Sequence, residues 1–178
     1  LGGRCNDTKD NLLSGVMIVI NAPFRIGDYI EAGAFSGTVT DMDMICVILS
    51  TPDNKKITMS NKLVWSNPIV NYSNIERRRV ELSVSVAYGT DLQEVRDVVW
   101  KMLNSYSEIL PEPAPVVEVN KLNTSSVDFV VRPWTKPVDY WKVYWRFNGE
   151  ILGRLTEAGV SVPFSQLDVH IIDQQKAN

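Results

Sequence analysis

One stretch decides how this chain folds: Pro23-Phe24-Arg25-Ile26-Gly27-Asp28-Tyr29-Ile30, which comes shortly after an apolar run from Leu12 to Ile20. Proline cannot continue a helix, because it lacks a backbone N–H and its ring clashes with the preceding turn. The pair Gly27-Asp28 is typical of a tight turn. The stretch therefore predicts an apolar helix that stops at Pro23 and a sheet whose first strand begins near Tyr29.

The composition is that of a folded globular protein. The chain has 178 residues, of which 44% are hydrophobic and 22% charged, and its formal net charge is −3. A nucleic-acid-binding protein normally presents a basic field, so the acidic balance argues against that class. The longest uncharged apolar stretch, Leu12 to Phe24, is shorter than the roughly 20 residues that span a bilayer. We expect no membrane crossing within this chain, no secretory signal, and a buried free thiol at Cys46.

The first half predicts a short helix followed by a small barrel. Residues 1–22 form an N-terminal tail and a helix from about residue 8, in which Gly15 indicates close packing or a bend. Residues 23–73 contain five short strand signals separated by turns, which favours a strongly bent five-stranded barrel. Asn54 suits a turn position with positive φ, and Ser60-Asn61-Lys62 is interpreted as a tight corner.

The second half predicts a ferredoxin-like α+β sandwich over residues 74–159. Its order is strand, helix, strand, strand, helix, with a capping box at Thr90-Asp91-Leu92-Gln93 and a helix stop at Gly159. The second helix, from about Val138 to Ala158, is rich in aromatic residues. We predict that it packs a stripe of residues against the core, the alternative being a stacking platform for a ligand; the stripe consists of Trp141, Trp145, Leu152 and Leu155.

The last segment, residues 160–178, predicts one strand that finds no partner within the chain. Leu167, Val169 and Ile171 alternate with polar residues, and a single strand with open edges needs other chains to pair with it. We therefore expect these three residues to form a barrel between subunits. The fold class predicted for the whole chain is mixed β and α+β.

With these elements placed, the chain resembles the small-conductance mechanosensitive channel family from about Asn11 to Ile172. Three groups of residues, separated as in the family, support the resemblance. They are Asn11, Gly15, Pro23, Phe24, Gly27, Tyr29 and Gly37-Thr38-Val39 in the first; Asn61, Asn71-Tyr72-Ser73 and Val86-Ala87-Tyr88 in the second; and Ala158-Gly159-Val160-Ser161-Val162-Pro163-Phe164 in the third. The chain departs from the family pattern at Ser60, where a proline is usual, and at Ala22, where a basic residue is common. Its first ten residues are polar where the family has a glycine- and alanine-rich pore helix.

The resemblance implies a non-enzymatic channel component whose barrel is Sm-like. It would form the cytoplasmic vestibule of a homo-heptamer in the inner cell membrane, open under membrane tension, and release ions and small solutes in osmotic downshock. Its partners would be other copies of the chain, permeating ions, and lipids contacted by a membrane region absent from this chain. The implied pore-helix junction consists of Asn11, Gly15, Pro23, Phe24 and Arg25, and the implied ion-path lining of Arg77, Arg78 and Arg79.

Two other functions are weighed against the channel. An Sm-like RNA-binding ring would account for the barrel, but the acidic charge and the apolar helix before the barrel disfavour it. An α+β enzyme would need a nucleophile, a base or a metal set, and no HExxH, CxxC, GxSxG or phosphate-loop motif occurs. The single histidine, His170, lies in the last strand without companion metal ligands. We expect no cofactor, no metal and no nucleic-acid partner.

Overall fold

The computed structural model describes residues 8–163, and these divide into two compact units with the boundary between Arg78 and Arg79. Several predictions fall outside the described residues: the expected barrel strand with Leu167, Val169 and Ile171, and the position of His170. Within residues 8–163, no helix is both long enough and apolar enough to span a membrane.

The first unit contains two helices and a five-stranded antiparallel sheet. Its elements are α1 (Thr8–Asn21), β1 (Tyr29–Ala32), β2 (Phe35–Met42), β3 (Cys46–Ser50), β4 (Lys56–Ser60), α2 (Asn61–Ser66) and β5 (Ile69–Asn71). The strand order is β4-β3-β2-β1-β5, so the last strand returns to pair with the first. A register shift between Val39 and Asp41 bends β2, as an extra residue in one strand does. The five predicted strands are confirmed.

Alternation along these strands builds one apolar core. Inward-facing Ile30, Val39 and Leu49 are buried, and Ile18 of α1 and Val64 of α2 join the same cluster. The turn between β3 and β4 has Asn54 at φ +63°, as the sequence predicted. Asparagine tolerates this left-handed conformation better than most residues.

One element of this unit differs from the prediction. The corner expected at Ser60-Asn61-Lys62 is the start of the six-residue helix α2. The Ser60 hydroxyl accepts a hydrogen bond from the backbone N–H of Leu63 and so caps the helix. A helix this short has too few residues to show a 3.6-residue apolar period, so pattern analysis missed it.

The second unit has the predicted α+β organisation. Its elements are β6 (Arg78–Arg79, at the boundary), β7 (Leu82–Val86), α3 (Leu92–Asn104), β8 (Ile109–Leu110), β9 (Val116–Leu122), β10 (Val127–Arg132), β11 (Trp134–Thr135), a 3₁₀ turn (Pro137–Asp139) and α4 (Tyr140–Glu157). One antiparallel sheet has the order β7-β10-β9 and a smaller sheet the order β6-β11-β8. Both helices contribute to the core that contains the buried face of β7 and β10.

Two details of the second unit correct the sequence analysis. The N-cap of α3 is Asp91 and not Thr90, since the Asp91 carboxylate accepts from the backbone N–H groups of Gln93 and Glu94. The core-facing stripe predicted for α4 is wrong in three of its four residues. Trp141, Trp145 and Leu152 are exposed, and only Leu155 is buried. The buried face consists of Val143, Phe147 and Leu155. The prediction had placed the larger tryptophan side chains in the core.

Candidate functional site

Helix α1 meets helix α2 of the first unit at a polar contact. Asn11 is buried, and its Oδ1 accepts a hydrogen bond of 3.0 Å from the backbone N–H of Lys62. The same lysine reaches back with its Nζ, which lies 2.7 Å from Oδ2 of Asp10. That ion pair is solvent-exposed on both sides and contributes little to stability. The amide contact is the stronger constraint, because Asn11 is buried and its Oδ1 would lose a hydrogen bond there without gaining one to water.

Gly15 lies one turn further along α1, in close contact with the start of α2 and with the turn between β2 and β3. A Cβ added there would lie 2.6 Å from Nδ2 of Asn61 and 2.9 Å from the carbonyl oxygen of Met44. Asn61 cannot easily yield, because it is buried and its Nδ2 donates to the carbonyl of Asp43 at 3.1 Å. Its backbone N–H also donates to the carbonyl of Ile45 at 2.8 Å. Glycine at this position therefore permits a contact that no other residue would.

The end of α1 is held by residues on both sides of the predicted stop. The N–H of Ala22 still bonds to the Ile18 carbonyl at 2.8 Å, and Ala22 has φ +43°. This left-handed geometry is unfavourable for a residue with a Cβ. Pro23 then prevents continuation, and the Phe24 side chain is buried in the sheet core. Arg25 is exposed.

A single asparagine from β5 ties this exit to the sheet. Nδ2 of Asn71 donates to the carbonyl of Pro23 at 3.1 Å and to Oδ2 of Asp28 at 2.8 Å. The same Asp28 oxygen accepts from the backbone N–H of Arg25 at 2.9 Å. Oδ1 of Asn71 meanwhile accepts from the N–H groups of Ser73 and Asn74. We name Asn11, Gly15, Asn61, Lys62 and Asn71, together with α1, the helix–sheet junction.

An apolar pocket of about 360 Å³ lies beside this junction. It is bounded by α1 and by the residues at the end of β2 and start of β3, and its lining includes Leu12, Val16, Val19, Met42, Met44 and Val47. The outer face of α1 is also apolar, since Leu13, Val19 and Ile20 are exposed. Only the side with Asn11, Ser14, Gly15 and Ile18 is buried against the sheet.

The three consecutive arginines have different surroundings. The Arg78 guanidinium lies 4.7 Å from the centre of the Tyr72 ring, in cation–π geometry, and Arg77 is exposed. In the second unit, Arg79 forms an ion pair with Glu81, whose other oxygen accepts from Nε of Arg132 at 2.8 Å. Burial would raise the pKa of the Glu81 carboxyl, but hydrogen bonds from Arg132 and Arg79 outweigh burial and lower it. The positive charge of the three arginines is therefore partly compensated by Glu81.

Of the predicted junction residues, the structure brings Asn11 and Gly15 together on the buried side of α1 and places Pro23 and Phe24 at its exit. Asn61 and Asn71 were not predicted as site residues, although both belong to the patterns that carried the family resemblance. Across residues 8–163, no cluster of three or more His, Cys, Asp or Glu side chains could hold a metal ion.

Two protein-family models match nearly all of the described chain. The first, "Mechanosensitive ion channel, beta-domain", covers residues 7–74. The second, "Mechanosensitive ion channel MscS, C-terminal", covers residues 80–162. The chain belongs to the MscS family of mechanosensitive channels. This is a family of channels and not of enzymes, and the comparisons give no support to an RNA-binding ring.

Individual relatives agree with this assignment. The chain is 34% identical over 165 residues to an MscS family protein of Synechocystis, covering 93% of this chain and 56% of that protein. It is 32% identical over 177 residues to the small-conductance mechanosensitive channel of Edwardsiella ictaluri, covering 99% of this chain and 62% of that protein. The crystal structure of Helicobacter pylori MscS in a closed state superimposes with a TM-score of 0.86 at 25% identity, covering 94% of this chain and 67% of the other. The chain thus spans about three fifths of the length of these MscS-family relatives.

Proposed function

We propose that this MscS-family chain forms the cytoplasmic vestibule and the last part of the pore helix of a channel that opens under membrane tension. In an osmotic downshock the channel would release ions and small solutes across the inner cell membrane. Seven copies would surround the pore axis, and lipids would contact segments outside this chain. Family membership supports the general class, and the observation that carries the detailed proposal is the helix–sheet junction.

The junction suits a channel because it restrains an apolar helix at two separate points. Asn11 holds the first part of α1 to Lys62, and Asn71 holds the backbone just after its end through Pro23. A pull along α1 is therefore passed to the sheet through hydrogen bonds, and not lost in a flexible connection. The buried Phe24 side chain strengthens the second restraint, because extracting it would expose a large apolar surface.

Between the two restraints, Gly15 and Pro23 define where α1 would bend. Glycine weakens a helix and proline fixes its end, so deformation is concentrated in the two turns between them. The contact of Gly15 with Asn61 gives this hinge a defined resting position. In the proposed mechanism, the helix leaves or regains that contact when the pore changes state. Arg25, exposed just past the hinge, would face the membrane-proximal loops.

The arginine run would act on permeating ions. Repeated around a ring, Arg77, Arg78 and Arg79 would place cationic side chains where the barrel meets the sandwich, and pore-lining charge biases which ions pass. Glu81 compensates part of that charge. The bias toward anions should therefore be modest. Leu167, Val169 and Ile171 would close the vestibule as a barrel between subunits.

The experiment that tests this function is survival of an osmotic downshock. The full-length protein is produced in bacterial cells that lack mechanosensitive channels, and the cells are moved from high to low osmolarity. We expect survival to rise well above that of cells with an empty vector. Lysis equal to the empty vector, with the protein present in the membrane fraction, would contradict the proposal.

A further inference from the structure

The outer face of α4 and the turn before it carry a stripe of large apolar side chains that are exposed among residues 79–163 of the second unit. Val138 is 86% exposed, Trp141 54%, Trp145 64% and Leu152 57%. Their spacing of three, four and seven residues places them on one side of the helix. We name these four residues the α4 stripe. Two half-exposed tryptophans alone present on the order of 250 Å² of ring surface.

The aromatic rings in and beside the stripe pack against one another, which restricts their rotamers. The rings of Trp141 and Trp145 stack with centroids 5.5 Å apart and planes at 21°. Tyr144 meets both edge-on, at 5.4 Å and 5.0 Å, and stacks with Tyr140 at 6.4 Å. Side chains that are ordered before binding lose little entropy when a partner covers them. Such a surface is suited to recognition of another protein.

Lys142 and Arg146, each next to a tryptophan of the stripe in the sequence, are already engaged within the second unit. Lys142 forms an ion pair with Glu108, and Nε of Arg146 donates to Glu150 at 3.0 Å. The Arg146 guanidinium also lies 4.0 Å from the centre of the Tyr106 ring. A surface that binds an anionic membrane or a nucleic acid combines aromatic residues with available cations. The α4 stripe instead combines aromatic residues with cations whose charge is already compensated by carboxylates. This resembles the centre of a protein interface, where free charge is depleted.

A glycine interrupts the stripe, and no side chain or backbone among the described residues of the second unit packs against it. Gly149 lies one turn after Trp145 in the interior of α4, and a Cβ added there would meet no atom within 4 Å. Glycine in an exposed helix interior costs about 1 kcal/mol relative to alanine. The missing side chain at Gly149 leaves a shallow depression beside the Trp145 ring, into which the backbone of a partner could fit.

We propose that the α4 stripe docks on a second copy of this chain. This inference rests on the proposed homo-oligomer and names one of its interfaces. With Val138 and Leu152, the stripe offers on the order of 500 Å², a large share of the roughly 800 Å² that each partner contributes to a stable interface. A closed ring requires each subunit to present two different surfaces. The stripe is therefore one surface, and a different face of the neighbouring copy receives it.

Residue-resolved oxidation by hydroxyl radicals tests the proposal on the unmodified chain. The chain is oxidised once at a concentration at which it is assembled and once after dilution to single subunits, and the products are quantified by mass spectrometry. We expect Trp141 and Trp145 to be oxidised at least threefold more slowly in the assembly. Equal oxidation of both tryptophans in the two states would overturn the proposal, while the assembly itself would stand.

A pair of variants gives the second test. Trp141→Gln combined with Trp145→Gln should raise the dissociation constant of the assembly at least tenfold, because interface tryptophans are frequent hot spots. The matched control is Leu122→Gln, which removes an equally exposed apolar side chain on β9. It should change that constant less than twofold. Unchanged circular dichroism shows that each variant is folded.

Two further measurements separate a failure of the oligomer from a failure of this interface and from binding to a membrane. If native mass spectrometry finds the parent only as a monomer at micromolar concentration, the proposed oligomer fails together with this interface. If the parent assembles and the double variant assembles equally well, only the interface fails. Co-sedimentation of the parent with phosphatidylglycerol vesicles that is lost in the double variant would assign the stripe to a membrane instead, and would also overturn the proposal.

Discussion

The amide Nδ2 of Asn61 occupies the space that a side chain at Gly15 would need, at 2.6 Å from the position of its Cβ. Gly15 belongs to an apolar helix and Asn61 begins a short helix 46 positions later, so the contact joins two distant segments. Both residues are buried, and the asparagine is held by a hydrogen bond to Asp43. The position of α1 on the sheet therefore depends on the absence of one methyl group.

Replacing Gly15 with alanine should destabilise the first unit. Alanine favours a helix by about 1 kcal/mol, but forcing a methyl group into a packed contact costs about 1–3 kcal/mol, and here two neighbours must move. We expect a net loss of about 1 kcal/mol in the free energy of unfolding, measured by urea denaturation. Hydrogen exchange in α1 should become faster.

Gly153→Ala is the matched control for that substitution. Gly153 is also a helix-interior glycine, but a Cβ added there would meet no atom within 4 Å. The change should therefore stabilise the chain by about 0.5–1 kcal/mol, through helix propensity alone. A Gly15→Ala variant as stable as Gly153→Ala would show that the contact with Asn61 imposes no steric limit.

The two interactions of Lys62 with α1 can be separated by mutation. Asn11→Ala removes a buried polar side chain and leaves the backbone N–H of residue 62 without its acceptor, and it should cost about 1–3 kcal/mol. Lys62→Gln keeps that N–H and removes the exposed ion pair with Asp10, so its cost should stay below about 1 kcal/mol. Exchange of the amide proton at residue 62 should accelerate strongly in the first variant alone. Equal exchange rates in both variants would contradict this assignment.

The stability of the second unit should fall at high pH because of Tyr106. Burial, with a hydrogen bond from its hydroxyl to Glu150, raises the pKa of Tyr106 to about 12. The unfolded chain has the ordinary value near 10. The protonated phenol thus stabilises the fold fully below pH 10, and this contribution is lost as the pH rises from about 10 to 12. Tyr106→Phe should flatten the pH dependence of the urea midpoint over that range. An unchanged slope would show that ionisation of Tyr106 does not affect stability.

The sequence predicts the strands well because their signals are local. Alternation around Val84 and turn residues such as Asn54 fix where strands run and stop, independently of distant contacts. The end of α1 is equally local, since Pro23 forbids continuation whatever the surroundings. Gly15 was recognised as a point of packing or bending, and the structure supplies the packing partner.

The contacts that build the site were not predictable in the same way. Asn61 and Asn71 act through hydrogen bonds to residues far away in the chain, and no periodic pattern encodes such pairs. The prediction of which face of α4 is buried was wrong for a related reason. Trp141 and Trp145 are the largest apolar side chains on the helix, yet the core contains Val143 and Phe147 instead. Large aromatic residues on a subunit surface are expected when another protein covers them.

Patch recording tests whether the helix–sheet junction belongs to a tension-gated pore. The full-length protein is placed in membranes without other mechanosensitive channels, and current is recorded while suction raises the tension. We predict step-like currents that appear only above a threshold tension in the parent. In Gly15→Ala, closing and inactivation under sustained tension should be altered, while Gly153→Ala should behave like the parent. Absence of tension-dependent current in patches that contain the protein would contradict the account; parent-like gating in Gly15→Ala would contradict the role of the junction.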